Sequence, residues 1–121
     1  MQFKASHRFA RISPRKARLI VDLIRGKSVD DALEILRFNR QRASYFVNKV
    51  VRSALANAEN AITEKRATVD TDSLFVSEAR VDCGPSLKRW RPRSRGLVHP
   101  YKRRMSHISV VLEEAETEGE Q

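Results

Sequence analysis

The 121-residue chain contains one cysteine, four glycines, four prolines and one tryptophan. A single thiol, Cys83, closes no internal disulfide, which excludes a secreted, disulfide-stapled scaffold and points to a reducing, cytoplasmic setting. Long hydrophobic runs are missing too. Nothing approaches the roughly 20 apolar residues that a bilayer-crossing helix needs, so no membrane partner is expected. The opening "MQFKASHRFARIS" carries basic residues without an apolar stretch, unlike a secretory signal. Acid is absent locally: "SLKRWRPRSRGLVHPYKRRMS", Ser86 to Ser106, holds eight Lys and Arg and neither Asp nor Glu.

What is present is enough for one modest core, with 40% hydrophobic residues in a chain of single-domain length. The net charge of +9 is unevenly spread. Residues 1–27 have eight basic side chains and one acidic, and residues 80–107 have nine and one. The stretch between them is nearly balanced, and residues 108–121 are purely acidic. Two dense basic blocks on a small domain are the electrostatic signature of a polyanionic partner, most often nucleic acid.

Hydrophobic periodicity gives three helices. Ser13 caps the first, Pro14 suits its opening position, and Ala17, Ile20, Val21 and Ile24 follow at helical spacing until Gly26 ends it. Ser28 and Asp31 read as a capping box for the second, with Ala32, Leu33, Ile35 and Leu36 on its buried side. Asn39 is expected to cap the third and longest. Its apolar stripe includes Ala43, Phe46, Val47, Val50, Val51, Ala54, Leu55, Ala58 and Ile62. Arg42, Lys49 and Arg52 lie off that stripe. Beyond it the period changes. "LFVSEARVD" (74–82) and "SHISVVL" (106–112) alternate as strands, and Phe3, Ala5 and His7 suggest another within 3–12.

The connection from Cys83 to Met105 is too long for an ordinary loop. It is either a functional loop or a continuation of both strands as a hairpin whose legs reach roughly 35 Å at about 3.3 Å per residue. Its arginines match phosphate oxygens bidentately, while Trp90 and Tyr101 offer flat faces for unpaired bases. Pro85, Pro92 and Pro100 stiffen it. The N-terminal cations Lys4, Arg8, Arg11, Arg15, Lys16 and Arg18 extend the same basic surface.

Other motifs carry less. "GKS" at Gly26–Ser28 resembles the end of a phosphate-binding loop, but Val21 stands where that motif needs glycine, and a helix precedes it rather than a strand. Asp30 and Asp31 sit where the helix dipole favours acids, which explains them without a metal. His7, His99 and His107 have no metal-ligand spacing with Cys83. No metal, cofactor or catalytic residue is expected.

"HRFARISPRKARLIVDLIRGKSVDDALEIL", "SALANAENA" and "VDCGPSLKRWRPRSRGLVHPYKRRMSHISVVL" together resemble the bacterial large-subunit ribosomal protein twenty-two family over residues 5–112. The resemblance implies an α+β fold, with three helices packed on a small antiparallel sheet and a long protruding β-hairpin. It implies a single rRNA-binding domain over 1–112 with an arm over about 83–105; the acidic composition of 113–121, longer than the family minimum, adds the expectation of a disordered tail that rRNA repels to the solvent side. It further implies a non-enzymatic, structural constituent of the large ribosomal subunit that binds large-subunit (23S) rRNA and helps its assembly. The implied setting is the cytoplasmic ribosome, as a monomer beside neighbouring ribosomal proteins. The implied rRNA-binding residues are Lys4, Arg8, Arg11, Arg15, Lys16, Arg18, Arg25, Lys27, Lys88, Arg89, Arg91, Arg93, Arg95, Lys102, Arg103, Arg104, Ser106 and His107. The hairpin tip, Lys88, Arg89, Trp90, Arg91, Pro92, Arg93, Ser94, Arg95 and Gly96, is implied to line the peptide exit tunnel and meet the nascent polypeptide. Trp90 and Arg91 stand where family members often carry aliphatic residues or Met.

Two rivals remain at this level. A free-standing DNA-binding module would use the first two helices, joined by "RGKS", as a helix-turn-helix. A small metal-dependent nuclease would use Asp30 and Asp31.

Overall fold

Ser13 and Pro14 start the first helix for separate reasons. The Ser13 side chain accepts a hydrogen bond from the Lys16 N–H at 3.4 Å, and Pro14 occupies a position where a missing N–H costs nothing. The computed structural model describes residues 2–64, 68 and 70–115. In chain order these form β1 (Gln2–Ala10), α1 (Pro14–Ile24), α2 (Val29–Phe38), α3 (Arg42–Thr63), β2 (Leu74–Pro92) and β3 (Val98–Glu114), with short 3-10 turns at Thr71–Ser73 and Ser94–Gly96.

The sheet is antiparallel with order β1-β3-β2, so β3 is central. Its alternate residues Ile108, Val110 and Leu112 are completely buried and meet α1 and α3. Burying each such side chain contributes about 1.5–3 kcal/mol, which anchors the root of β3 firmly. Phe3 on β1, Val76, Ala79 and Val81 on β2, and Val47, Val51, Ala54 and Ala58 on α3 complete this two-layer core.

Edge strands leave unpaired backbone groups that must be satisfied. Along β2, Arg25 Nε donates to the Ala79 carbonyl at 2.8 Å, and Arg18 donates to the Val81 carbonyl through Nε and Nη2. The turn after α1 adds backbone bonds from Gly26 N–H to Val76 O and from Val76 N–H to Lys27 O, both 2.9 Å. Gly26 makes this approach at φ +75, which glycine adopts without strain. At the other edge, Asn57 on α3 donates to the Lys4 carbonyl at 2.9 Å.

The structure makes two corrections, to Asn39 and to the tail, and decides one open alternative. Asn39 closes α2 rather than opening α3. Its N–H donates to Ile35 O, and its side chain accepts from the Gln41 N–H, leaving Gln41 as the N-cap of α3 without a side-chain bond. Of the two readings of the 83–105 connection the hairpin is the one observed: both strands run on to Pro92 and Val98. The sheet also continues into the expected tail. Glu113 pairs with Gln2 and Phe75, Glu114 pairs with Leu74, and the Ala115 N–H donates to Ser73 O. Backbone pairing on both sides outweighs the acidic composition there. Residues 116–121 of the expected tail lie outside the described residues.

Candidate nucleic-acid interface

Between Cys83 and Ser86 the register of β2 against β3 shifts at a bulge. A side chain at Gly84 would put its Cβ 3.0 Å from the Met105 carbonyl oxygen, a tight contact with backbone that favours glycine at this approach. Beyond the bulge, Ser86 pairs with Arg104 and the ladder continues to Pro92 opposite Val98. Seven paired residues per leg extend roughly 23 Å at about 3.3 Å each. Of the residues from Ser86 to Arg104 only Leu87 is partly buried, and the rest are exposed.

Strand alternation sorts the arm into two faces. One carries Trp90, Pro92, Val98 and Pro100 toward the tip and Lys88, Lys102 and Arg104 toward the root, with Trp90 directly opposite Pro100. The Lys88 ammonium lies 4.8 Å from the Trp90 ring centroid. The other carries Arg89, Arg91, His99, Tyr101 and Arg103, with the Arg91 guanidinium 5.3 Å from the Tyr101 ring. These cation–π contacts hold long side chains in place without neutralising them. At the tip, the Arg93 N–H donates to Leu97 O, while Arg95 and Gly96 both take left-handed conformations, φ 61 and 73.

Where the arm leaves the body, a cleft of about 550 Å³ opens. Its walls combine Arg11, Ser13 and Lys16 from the β1–α1 corner, Arg42 from α3, and Leu87, Arg89, Lys102, Arg103, Arg104 and Met105 from the arm. Seven of these side chains are cationic, and no carboxylate among the described residues lines the cleft. Like charges gathered this way repel, and only a polyanion offsets the cost. Arg42 belongs to this set although the implied rRNA-binding residues omit it. Its guanidinium lies 5.4 Å from the Phe46 ring, which directs it beside the helix. Its only sequence signal is its place off the apolar stripe, which leaves the direction it faces undetermined.

Thus six residues implied by the resemblance, Arg11, Lys16, Arg89, Lys102, Arg103 and Arg104, converge on one cleft. Arg91, Arg93 and Arg95 lie farther out on the exposed arm, and Lys88, paired with Lys102, is exposed at the level of the cleft without lining it. Arg15 is exposed on the first turn of α1. Arg8 lies over Phe9, with its guanidinium 5.5 Å from the ring. Lys4 is on the sheet face away from the helices, near Glu78 and Arg80. Lys27 borders a separate hollow with Asp31 and Glu34. Arg18 and Arg25 brace β2 as described, and Arg25 also pairs with Asp22. Ser106 is a correction. It is fully buried, paired with Ala10 on one side and Cys83 on the other, so its hydroxyl cannot reach RNA. His107, next to it, points to the opposite, open face and accepts a hydrogen bond from the Phe9 N–H.

This placement weakens the helix-turn-helix reading. The second helix opens with Asp30 and Asp31, which would repel a phosphate backbone, and Arg25 and Lys27 beside it face carboxylates or carbonyls.

The comparisons with known proteins agree with the geometry. The family model described as ribosomal protein L22p/L17e matches residues 5–113. Large ribosomal subunit protein uL22 of Syntrophus aciditrophicus is 53% identical over 94% of this chain and 99% of its own length. The proteins of the same name from Carboxydothermus hydrogenoformans and Thermus thermophilus are 49% and 52% identical, each over 94% of this chain and 96% of their own length. With the matching region reaching from the middle of β1 almost to the end of β3, the chain belongs to the ribosomal protein L22p/L17e family.

Proposed function

We propose that this protein grips large-subunit (23S) rRNA with the cationic cleft and threads its arm between RNA segments. As a member of its family it is a structural component of the large ribosomal subunit and not an enzyme. The observation that carries the finer reading is the cleft itself, lined where the arm meets the body by seven cations and, among the described residues, no carboxylate. Arginine forks there and along the Arg89–Arg91–Arg103 face engage phosphates, and each contact releases condensed counterions. The arm has no core of its own, so rRNA on both sides supplies the packing that fixes its direction. Binding before the subunit is complete orders the arm and the RNA together, which is its contribution to assembly.

The two arm faces divide the work. The arginine face meets rRNA, and the Trp90–Pro92–Val98–Pro100 face, with the tip Lys88–Gly96, is presented to the nascent polypeptide in the exit tunnel. Three of these four residues lack a polar side-chain group, and two are rings with no backbone N–H to offer, so a peptide passing the outer part of this face finds few hydrogen bonds to linger on, while Lys88, Lys102 and Arg104 make its root cationic.

The test is binding of the full chain to large-subunit rRNA across a salt series, with duplex DNA as competitor. Engagement of the seven cleft cations predicts a log–log slope of about −5 to −6, from roughly 0.7–0.9 per phosphate. A slope near zero, or equal affinity for duplex DNA, would overturn the reading.

A further inference from the structure

Phe9 occupies a backbone conformation that phenylalanine rarely takes. Its φ is 61, in the left-handed region where bulky residues are outliers. The cause is local: His7 pairs with Ile108 and Ala10 with Ser106, so Arg8 and Phe9 together face the single residue His107. That is a one-residue bulge, and glycine is the usual occupant of its left-handed position. Here the position carries an aromatic ring that remains 51% exposed. Burial therefore does not account for the residue, and backbone preference opposes it. Strain of this kind persists at sites that use it.

The surroundings define a small platform. The His107 ring meets the Phe9 ring at 89° with centroids 4.9 Å apart, and the Arg8 guanidinium is 5.5 Å from the Phe9 centroid. The Phe9 N–H donates to His107 Nδ1 at 3.0 Å. An accepting Nδ1 carries no proton, so the neutral imidazole bears its proton on Nε2 and offers it as a donor. One bulge thus sets out an apolar flat surface, a cation and a directed N–H donor within a few ångströms.

We propose that Phe9, with His107 and Arg8, is a stacking site for a single unpaired RNA base. The base lies on the exposed part of the Phe9 ring. His107 Nε2–H donates to an acceptor on that nucleotide, and Arg8 meets its phosphate. An aromatic face accepts any base, so the site recognises an unstacked nucleotide rather than a sequence. The inference rests on the rRNA-binding reading but concerns a different surface from the cleft. No residue of the platform lines the cleft.

Binding of Phe9→Ala, Phe9→Tyr and Phe9→Gly full-length chains to large-subunit rRNA tests the proposal, with salt series and thermal melts. Phe9→Ala should weaken binding roughly tenfold while the salt slope stays at the wild-type value, because stacking releases no counterions. Phe9→Tyr should bind within about twofold of wild type. Phe9→Gly should melt at a higher temperature than Phe9→Ala, since glycine tolerates the bulge, yet bind no better. Ultraviolet crosslinking of the wild-type complex should join Phe9 to one nucleotide. Unchanged affinity in Phe9→Ala, or a crosslink from Phe9 to a neighbouring protein instead of RNA, would overturn the site. Arg89→Ala and Arg103→Ala should flatten the salt slope in either case. A slope unaffected by those two would count against the rRNA reading itself, so the two failures are distinguishable.

Discussion

Between Leu74 and Cys83 the β2 strand buries Leu74, Val76, Ala79 and Val81 against the helices, whereas between Ser86 and Pro92 the same strand buries nothing fully. The partner strand repeats the contrast, from Ile108, Val110 and Leu112 at the root to an exposed run from Val98 to Arg104. Both halves are antiparallel ladders on the same two strands, joined at the Cys83/Ser86 bulge, with one further register shift in the root between Val76 and Glu78. Hydrogen-bond geometry is therefore common to the two, and burial alone separates a stabilising half from an interacting one. A ladder of backbone bonds gives small net stability in water, since each exchanges for a bond to solvent. The root supplies stability to the body, and the arm borrows its direction from that root.

Removing the arm is the strongest way to break this comparison. Replacing Ser86–Arg104 with a short turn deletes eight cations, and affinity for large-subunit rRNA should fall at least a thousandfold at physiological salt. The shortened chain should still melt cooperatively, because the buried core retains all its members. Loss of the cooperative transition would show that arm and body are one folding unit. The cut must stop short of Ser106, which is buried in the body.

Point substitutions sharpen the contrast. Ile108→Ala at the root should destabilise the protein by about 3 kcal/mol, read by chemical denaturation. Trp90→Ala on the arm should stay within about 0.5 kcal/mol of wild type, as exposed positions do. Equal losses in the two variants would refute the division. Arg18→Gln probes a cation that braces β2. It should cost about 1–2 kcal/mol of stability with the salt slope of binding preserved, since an edge carbonyl loses its donor. Arg89→Ala and Arg103→Ala should do the reverse, lowering the salt slope by about 1 each with stability unchanged. A more local loss belongs to the α1 cap: Ser13→Ala should cost about 1 kcal/mol, seen in the melting temperature.

The helices were legible because punctuation and periodicity agreed. Ser13 and Ser28 cap as their spacing indicates, and the α3 stripe from Ala43 to Ala58 faces the core. Asn39 misled because one Asx side chain serves equally well to end a helix or to begin one, and only the path of the chain to Gln41 decides between them. The cationic character of the interface was equally plain in composition. Its membership was not. Arg18, Arg25 and Arg103 look alike in a sequence, yet the first two meet carbonyls of β2 and the third lines the cleft.

Composition and spacing by themselves determined where the first two helices begin, the strand-forming segments and the basic character of the arm, because these follow from local dihedral preferences and short-range alternation. The tertiary structure alone decided which cations stay free, how Arg42 joins residues from β1, α1 and the arm, and why Phe9 is turned outward. Those outcomes depend on register across β3 and on helix placement at the sheet edges, where contacts span up to about a hundred residues of chain and leave no mark in any local window.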